Sequence, residues 1–389
     1  MESKKVLPIL FAIMFLVMVG FGIIIPVMPF YAEEMGASPT QLGLLMAVYS
    51  FMQLLFAPMW GRISDRIGRK PVIMIGIIGL SLSFFLMALS TELWMLFAAR
   101  IIGGFLSSAN MPTVMAYVAD ITSEEDRGKG MGIIGASVGM GFIFGPAIGG
   151  IFSQESFHMP FYLAGISSLF TFLLVLFVLK ESLHKEDKER YSKKRVPILK
   201  SLNGPLSILF FLQLFISLSL SGLEATFAYF AAQKAGLDSI DLGYIFMIMG
   251  LSGAIVQGGL VGRLTKNFGE GFVIQMGIAV SAIGFFLILF VENFITAAIF
   301  LTIFGIGNGV IRPSVSALLT KRSKLGHGST TGLLSSFDSF GRIIGPPLGG
   351  WLFSITIGLP YISGIILSVI AFLLYRIYTL QEKNFSAGV

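Results

Sequence analysis

Apolar runs alternate with short polar stretches along the whole chain, and nearly every other polar stretch is basic. Twelve runs stand out, at residues 7–31, 41–60, 72–90, 93–119, 131–153, 160–180, 205–230, 241–262, 272–291, 294–319, 328–353 and 358–379. Each approaches or exceeds the roughly 20 residues that a helix needs to cross a hydrocarbon core of about 30 Å. The pattern predicts twelve transmembrane helices and an all-α integral membrane protein. Lys4 and Lys5 ahead of the first run imitate the start of a signal peptide. No small-residue cleavage site follows and Pro26 and Pro29 extend the run, so it is read as a retained first helix.

The polar stretches orient the chain. Of 27 lysines and arginines, only Lys234 falls on the side opposite the N-terminus, while Arg100, Arg312 and Arg342 fall within runs. Cytoplasmic loops hold the excess of basic residues, so both termini are expected in the cytoplasm. The longest polar stretch, 181–204, follows the sixth run and mixes both charges. It reads as a solvated linker between halves 1–180 and 205–389, each a six-helix bundle.

An internal repeat supports that division. Gly145-Pro-Ala-Ile-Gly-Gly returns as Gly345-Pro-Pro-Leu-Gly-Gly, and Asn110-Met-Pro-Thr-Val is echoed by Ile311-Arg-Pro-Ser-Val. Gly61-Arg-Ile-Ser-Asp-Arg-Ile-Gly maps onto Gly262-Arg-Leu-Thr-Lys-Asn-Phe-Gly, with Lys266 where Asp65 stands. Parallel repeats of this kind are a transporter architecture, in which the substrate binds near the bilayer midplane.

Composition removes the other classes. The chain is 55% hydrophobic and 12% charged, too apolar to hide its surface in a water-soluble fold. It has no cysteine, so thiolate metal sites and disulfides are excluded, and three scattered histidines make no zinc cluster. The net charge of +6 sits in inter-helix loops and is topology, not a nucleic-acid footprint. No phosphate loop or nucleophile–base pair is present, so an enzyme is not expected, and no cofactor is either.

Three motifs carry chemistry. The first is Gly61-Arg-Ile-Ser-Asp65-Arg66-Ile-Gly68-Arg69-Lys70, five charges between two apolar runs with glycines bracketing the turn. The second is Arg100-Ile-Ile-Gly-Gly in the fourth run, a buried cation that must face the protein interior. The third is Gly135-x3-Gly139-x-Gly141-x3-Gly145-Pro146-x2-Gly149-Gly150, whose glycines offer a smooth face for close helix contact and whose proline permits a bend. Acids inside runs are fewer still: Glu224 and Asp338 lie deep, and Asp120 lies at the cytoplasmic edge of the fourth run. Intramembrane acids mark proton or ion paths. Asp338 and Arg342, spaced i,i+4, can also neutralise each other.

The first motif resembles the loop between the second and third helices of the major facilitator superfamily. Arg100-x-x-x-Gly104 and the Gly-Pro-x-x-Gly-Gly ending resemble signatures of its drug/proton antiporters. With Gly20 to Pro29, Gln53, Phe142, Glu224 and Ile311-Arg312-Pro313, most of the chain is similar to the Gram-positive multidrug efflux pumps of that superfamily. The resemblance implies twelve helices in two pseudo-symmetric bundles in a bacterial cytoplasmic membrane, working as a monomer and driven by a proton gradient. It implies a drug cavity lined by Phe21, Tyr49, Gln53, Phe142, Glu224 and Arg312. Proton coupling would rest on Glu224 with Asp338, Arg100 and Arg312, and Arg312 is a candidate partner for Glu224. Gly61, Asp65, Arg66, Gly68 and Arg69 would form a gate latch, with Asp65 pairing or capping neighbouring helix ends. Gly139, Gly145, Pro146, Gly149 and Gly150 would form the antiporter motif. One departure stands out: those pumps carry a second acid three residues before the arginine, where this chain has Gly309. Asp338 is the candidate replacement. An exporter of a polar metabolite (a sugar, amino-acid derivative, siderophore or glycolipid) on the same fold is the alternative.

Overall fold

In the computed structural model, residues 3–123, 125–183, 206–322 and 327–387 are described, and among them every regular element is helical. The expected linker lies, beyond Leu183, outside the described residues. The first half comprises α1 (Ser3–Glu34), α2 (Pro39–Ile67), α3 (Arg69–Ala88), α4 (Leu93–Ser107), α5 (Asn110–Ile121), α6 (Arg127–Phe152) and α7 (Met159–Val178). The second comprises α8 (Ser207–Ala235), α9 (Ser239–Ile255), α10 (Val261–Ile288), α11 (Phe294–Arg322), α12 (His327–Ile355) and α13 (Leu359–Ala387).

Each expected span falls on helix, with local corrections that have physical causes. The fourth span is split at Ser108–Ala109, where Pro112 has no N–H to give the preceding turn. The eighth and ninth spans run on as one stretch, Ser239–Ile288, through a π-helical turn at Val256–Leu260 and a kink at Gly269, whose φ is +81°. Ten described helical stretches are long and apolar enough to cross a bilayer, counting that one once. The polar α12, which carries Asp338 and Arg342, is not among the ten.

The described chain divides into two compact units. Unit 1 takes Met1–Ala37, Val48–Lys194 and Ser239–Met247; unit 2 takes Ser38–Ala47, Arg195–Asp238 and Ile248–Val389. Inside unit 1, α6 lies along α1 with glycine against glycine. A methyl group at Gly145 would sit 2.6 Å from the Gly22 Cα, and one at Gly149 would sit 2.6 Å from the Ile23 carbonyl oxygen. Unit 2 repeats the device between α12 and α8, where Gly341, Gly345 and Gly349 press on Ser217, Leu218, Ser221 and Gly222. In lipid, where burial against a neighbour gains little over burial against acyl chains, such close backbone contact is what holds helices together. The outer faces are apolar, with Phe177, Ile295 and Trp94 exposed as lipid-facing side chains are.

Candidate transport site and gate

Unit 2 contains a cluster of four charges. On α8, Gln213, Ser217 and Glu224 recur at four- and seven-residue spacing and so share one face. From α12, Asp338 reaches that face: its Oδ1 accepts from Gln213 Nε2 at 3.0 Å and from the Ser217 hydroxyl, while its Oδ2 lies 3.4 Å from both Arg312 Nη2 and Arg342 Nε. Glu224 lies 4.0 Å from Arg342 Nη1. Arg342 therefore sits between two acids, on its own helix and on α8. Arg312 is not placed against Glu224 as the sequence suggests; its ion pair is with Asp338. One helical turn of α12 carries Asp338 close enough to take Arg312 itself, which separates Arg312 from Glu224 electrostatically. Asp338 is 13% exposed, whereas Arg312 is 54% exposed.

Unit 1 holds a different cluster. Arg100 lies 4.4 Å above the Tyr49 ring, and the Tyr49 hydroxyl bonds to the Ser107 hydroxyl and accepts from Gln53 Nε2 at 3.2 Å. Phe21 closes edge-on against Tyr49 at 5.2 Å between ring centres. Gly104 explains the placement: a methyl there would lie 2.9 Å from the Tyr49 carbonyl oxygen, so only glycine lets α4 meet α2 one turn from Arg100. The structure thus brings Phe21, Tyr49, Gln53 and Arg100 together. Phe142, half-buried on α6, takes no part in those contacts.

The gate motif is mostly helix, not loop. No residue before Gly68 breaks the pattern, so α2 continues to Ile67 and only Gly68, at φ +120°, turns the chain before α3. The Arg69 side chain is buried and bound to Asp65, to Ser64 Oγ at 2.7 Å and to Asp120 Oδ2 at 3.0 Å. Asp65 pairs with Arg69, but the helix cap comes from Glu181, which the sequence did not single out. Its carboxylate accepts from the backbone N–H of Arg69 at 2.8 Å and of Lys70 at 3.1 Å, where the α3 dipole favours an anion. A side chain at Gly68 would strike that carboxylate. Gly61 has nothing within 4 Å of an added Cβ, so it mediates no close approach, and Arg66 is exposed.

The third motif is shifted in phase. Gly141, Gly145 and Gly149 form the face against α1, while Gly135 and Gly139 meet nothing within 4 Å. Gly150 contacts Ser239, Ile240 and Gly243, and Pro146 contacts Gly22 and Gly243, all inside unit 1. Sequence reasoning also passed over Gln213 and Ser217. Their signal was visible: polar residues on the Glu224 face of an otherwise apolar helix. Among the described residues no group of three or more His, Asp or Glu is placed to hold a metal ion.

The Major Facilitator Superfamily profile matches residues 10–324 and, again, 209–387. Multidrug resistance protein 2 of Bacillus subtilis is 32% identical over 394 residues, covering 100% of this chain and 98% of its own length. Quinolone resistance protein NorA of Staphylococcus aureus is 30% identical over 359 residues, 92% of each chain. Among solved structures, the nucleoside transporter NupG superposes with a TM-score of 0.77 at 15% identity over 98% of this chain and 100% of its own. The human organic anion transporter MFSD10 does so with a TM-score of 0.72 at 22% identity over 96% and 100%. At those identities the two structures speak for the fold. With its profile match, its relatives and its apolar helices, the chain is a multi-pass membrane protein that belongs to the Major Facilitator Superfamily.

Proposed function

We propose that the chain is a proton-coupled exporter of amphipathic, cationic drugs that works by alternating access as a monomer. Two homologous halves, 1–180 and 205–389, joined by 181–204, rock in a bacterial cytoplasmic membrane with both termini inside, and the proton gradient replaces any cofactor. Relatives of near full length that carry the names multidrug and quinolone resistance protein support export. The observation that carries the coupling is the unequal holding of two acids in unit 2. Asp338 is held by two arginines, an amide and a hydroxyl. Among the described residues, Glu224 has one ion-pair partner, Arg342, at 4.0 Å. Glu224 is therefore the acid that exchanges a proton for the drug cation, and Asp338 anchors Arg312 and Arg342 beside it.

Phe21, Tyr49, Gln53 and Phe142 supply aromatic and amide contacts to the drug, with Glu224 and Arg312 as polar ones and Arg100 holding Tyr49 in place. Proton loading of Glu224 lowers its attraction for a cation and releases drug; proton loss restores it. One proton exchanged for one monovalent cation moves no net charge. A gradient of one pH unit, about 1.4 kcal/mol, then sustains about a tenfold accumulation.

The test is ethidium uptake into inside-out vesicles under an imposed proton gradient, wild type against Glu224→Gln. Uptake by wild type and none by the variant is the expected result. Uptake by both would move the proton to Asp338, and uptake by neither would remove drug export.

A further inference from the structure

The gate motif has a second copy in which Arg62 is kept as Arg263, Arg66 and Lys70 become uncharged, and the two charges that pair in the first copy, Asp65 and Arg69, are reversed. Laid on itself at a 201-residue offset, the chain places Gly269 on Gly68, and both glycines have positive φ, +81° and +120°. At the same offset Lys266 replaces Asp65, Glu270 replaces Arg69 and Lys321 replaces Asp120. The first copy reads minus, plus, minus; the second reads plus, minus, plus. The contact survives the inversion. In unit 1 Arg69, just past the glycine, is paired with Asp120 at the last turn of α5. In unit 2 Glu270, just past the glycine, is paired with Lys321 at the last turn of α11. Arg322 beside it reaches Glu382 of α13 at 2.9 Å, so three elements of unit 2 are tied at one end, as Arg69, Asp120 and Ser182 tie three in unit 1.

Two sign changes, at Glu270 and Lys321, leave an attractive pair at the same place, and Lys266 keeps the four-residue spacing to Glu270 that Asp65 has to Arg69, so the attraction, and not the sign, is what recurs. Its stabilising value is small, because Lys321 is 65% exposed and exposed ion pairs contribute little. A pair of that kind matters where two states are closely balanced, since a small bias then shifts their populations.

We propose that Lys266, Glu270 and Lys321 form a second latch, the charge-inverted counterpart of Asp65, Arg69 and Asp120. They are positioning residues that hold the kink of α10 at Gly269 against the end of α11 in one state of the cycle. The inference rests on the alternating-access reading above.

Two readouts test it. The chain has no cysteine, so a single Gly262→Cys reports alone, and an added Cβ there meets nothing within 4 Å. Labelling of that cysteine by a membrane-impermeant maleimide in inside-out vesicles follows the latch whether or not ethidium moves. Glu270→Lys places three cations together and is expected to raise the labelling rate about threefold and to lower ethidium uptake about tenfold, with the melting temperature unchanged. The triple variant Lys266→Asp, Glu270→Arg, Lys321→Asp, which writes the first copy's charges into the second, is expected to restore both to within about twofold of wild type. The latch is refuted by Glu270→Lys leaving labelling unchanged, or by the triple variant labelling like the single one. Wild type that moves no ethidium, with labelling that still follows the charges, overturns drug export and keeps the latch.

Discussion

The two units place their membrane-embedded polar groups in opposite ways. In unit 1 one cation, Arg100, is laid against an aromatic ring and buried among Tyr49, Ser107 and Gln53, groups that do not titrate in the physiological range. In unit 2 two acids and two arginines share one face, joined by contacts of 3.4–4.0 Å. A cluster of the first kind keeps one charge state throughout a cycle and can only orient. A cluster of the second kind has a member whose charge can be removed and whose partner then redistributes. The two units thus differ in what their embedded charges face, an aromatic ring in the first and opposite charges in the second. The scaffold beneath both stays the same, glycine faces Gly141–Gly149 and Gly341–Gly349 against Gly22 and Gly222.

The strongest way to break this comparison is to remove the anchor of the charged cluster. Asp338→Asn keeps the shape that Gln213 and Ser217 bind but leaves Arg312 and Arg342 without their shared anion. Asp338 is 13% exposed but its arginines are 36% and 54% exposed, so the stability cost stays below the about 3–5 kcal/mol of a fully buried pair, while ethidium uptake is expected to vanish and the melting temperature in detergent to fall. Asp338→Asn that still transports with an unchanged pH profile would mean the two clusters are alike in function. The double variant Asp338→Asn, Arg312→Gln removes one excess cation and is expected to recover part of the lost stability but none of the transport.

Next in size is the scaffold. Gly145→Ala sets a methyl 2.6 Å from the Gly22 Cα and 2.7 Å from the Val19 carbonyl oxygen, both backbone, so α6 and α1 must separate. Overpacking of this kind costs about 1–3 kcal/mol. Gly139→Ala, one turn and a half away, meets nothing within 4 Å and is expected to be neutral or stabilising by about 0.5–1 kcal/mol, since alanine suits a helix better. Thermal unfolding of the two purified variants separates them. Equal losses would show that the contact face had been assigned to the wrong glycines.

That pair also marks how far the chain could be read without coordinates. The twelve spans were legible because the bilayer asks only for length and apolarity, and the repeat because both copies kept their glycines and prolines. The face of the third motif was not, since Gly135, Gly139, Gly141, Gly145 and Gly149 all lie on one helix and only the position of α1 selects three of them. Arg312 was legible as a charge within a span but not its partner, because Glu224 and Asp338 were both candidates and the choice depends on how α8, α11 and α12 meet. Glu181 was hidden among the charges of a linker; nothing local marks a carboxylate that caps a helix starting at Arg69. The rule behind these cases is that solvent and chain symmetry can be read from sequence, while pairing across helices cannot.

The smallest effects belong to unit 1, and they sharpen the contrast most. Arg100→Lys keeps the charge but replaces a planar group, which stacks well over Tyr49, with a point charge that does not. Loss of that stacking is worth about 0.5–2 kcal/mol, a fall of a few fold to about thirtyfold in uptake, with the dependence of uptake on pH unchanged. Tyr49→Phe is gentler. It keeps the ring beneath Arg100 and against Phe21 and removes only the hydroxyl that Ser107 and Gln53 share. A neutral hydrogen bond of this type contributes about 0.5–1.5 kcal/mol, and Ser107 and Gln53 can bond elsewhere, so uptake is expected to fall about two- to fivefold. Because no titrating group is touched, the loss should fall on the KM for ethidium and leave both the maximal rate and its pH dependence at their wild-type values. A shifted pH profile in Tyr49→Phe would place unit 1 in the proton path and end the division between a shaping half and a titrating half.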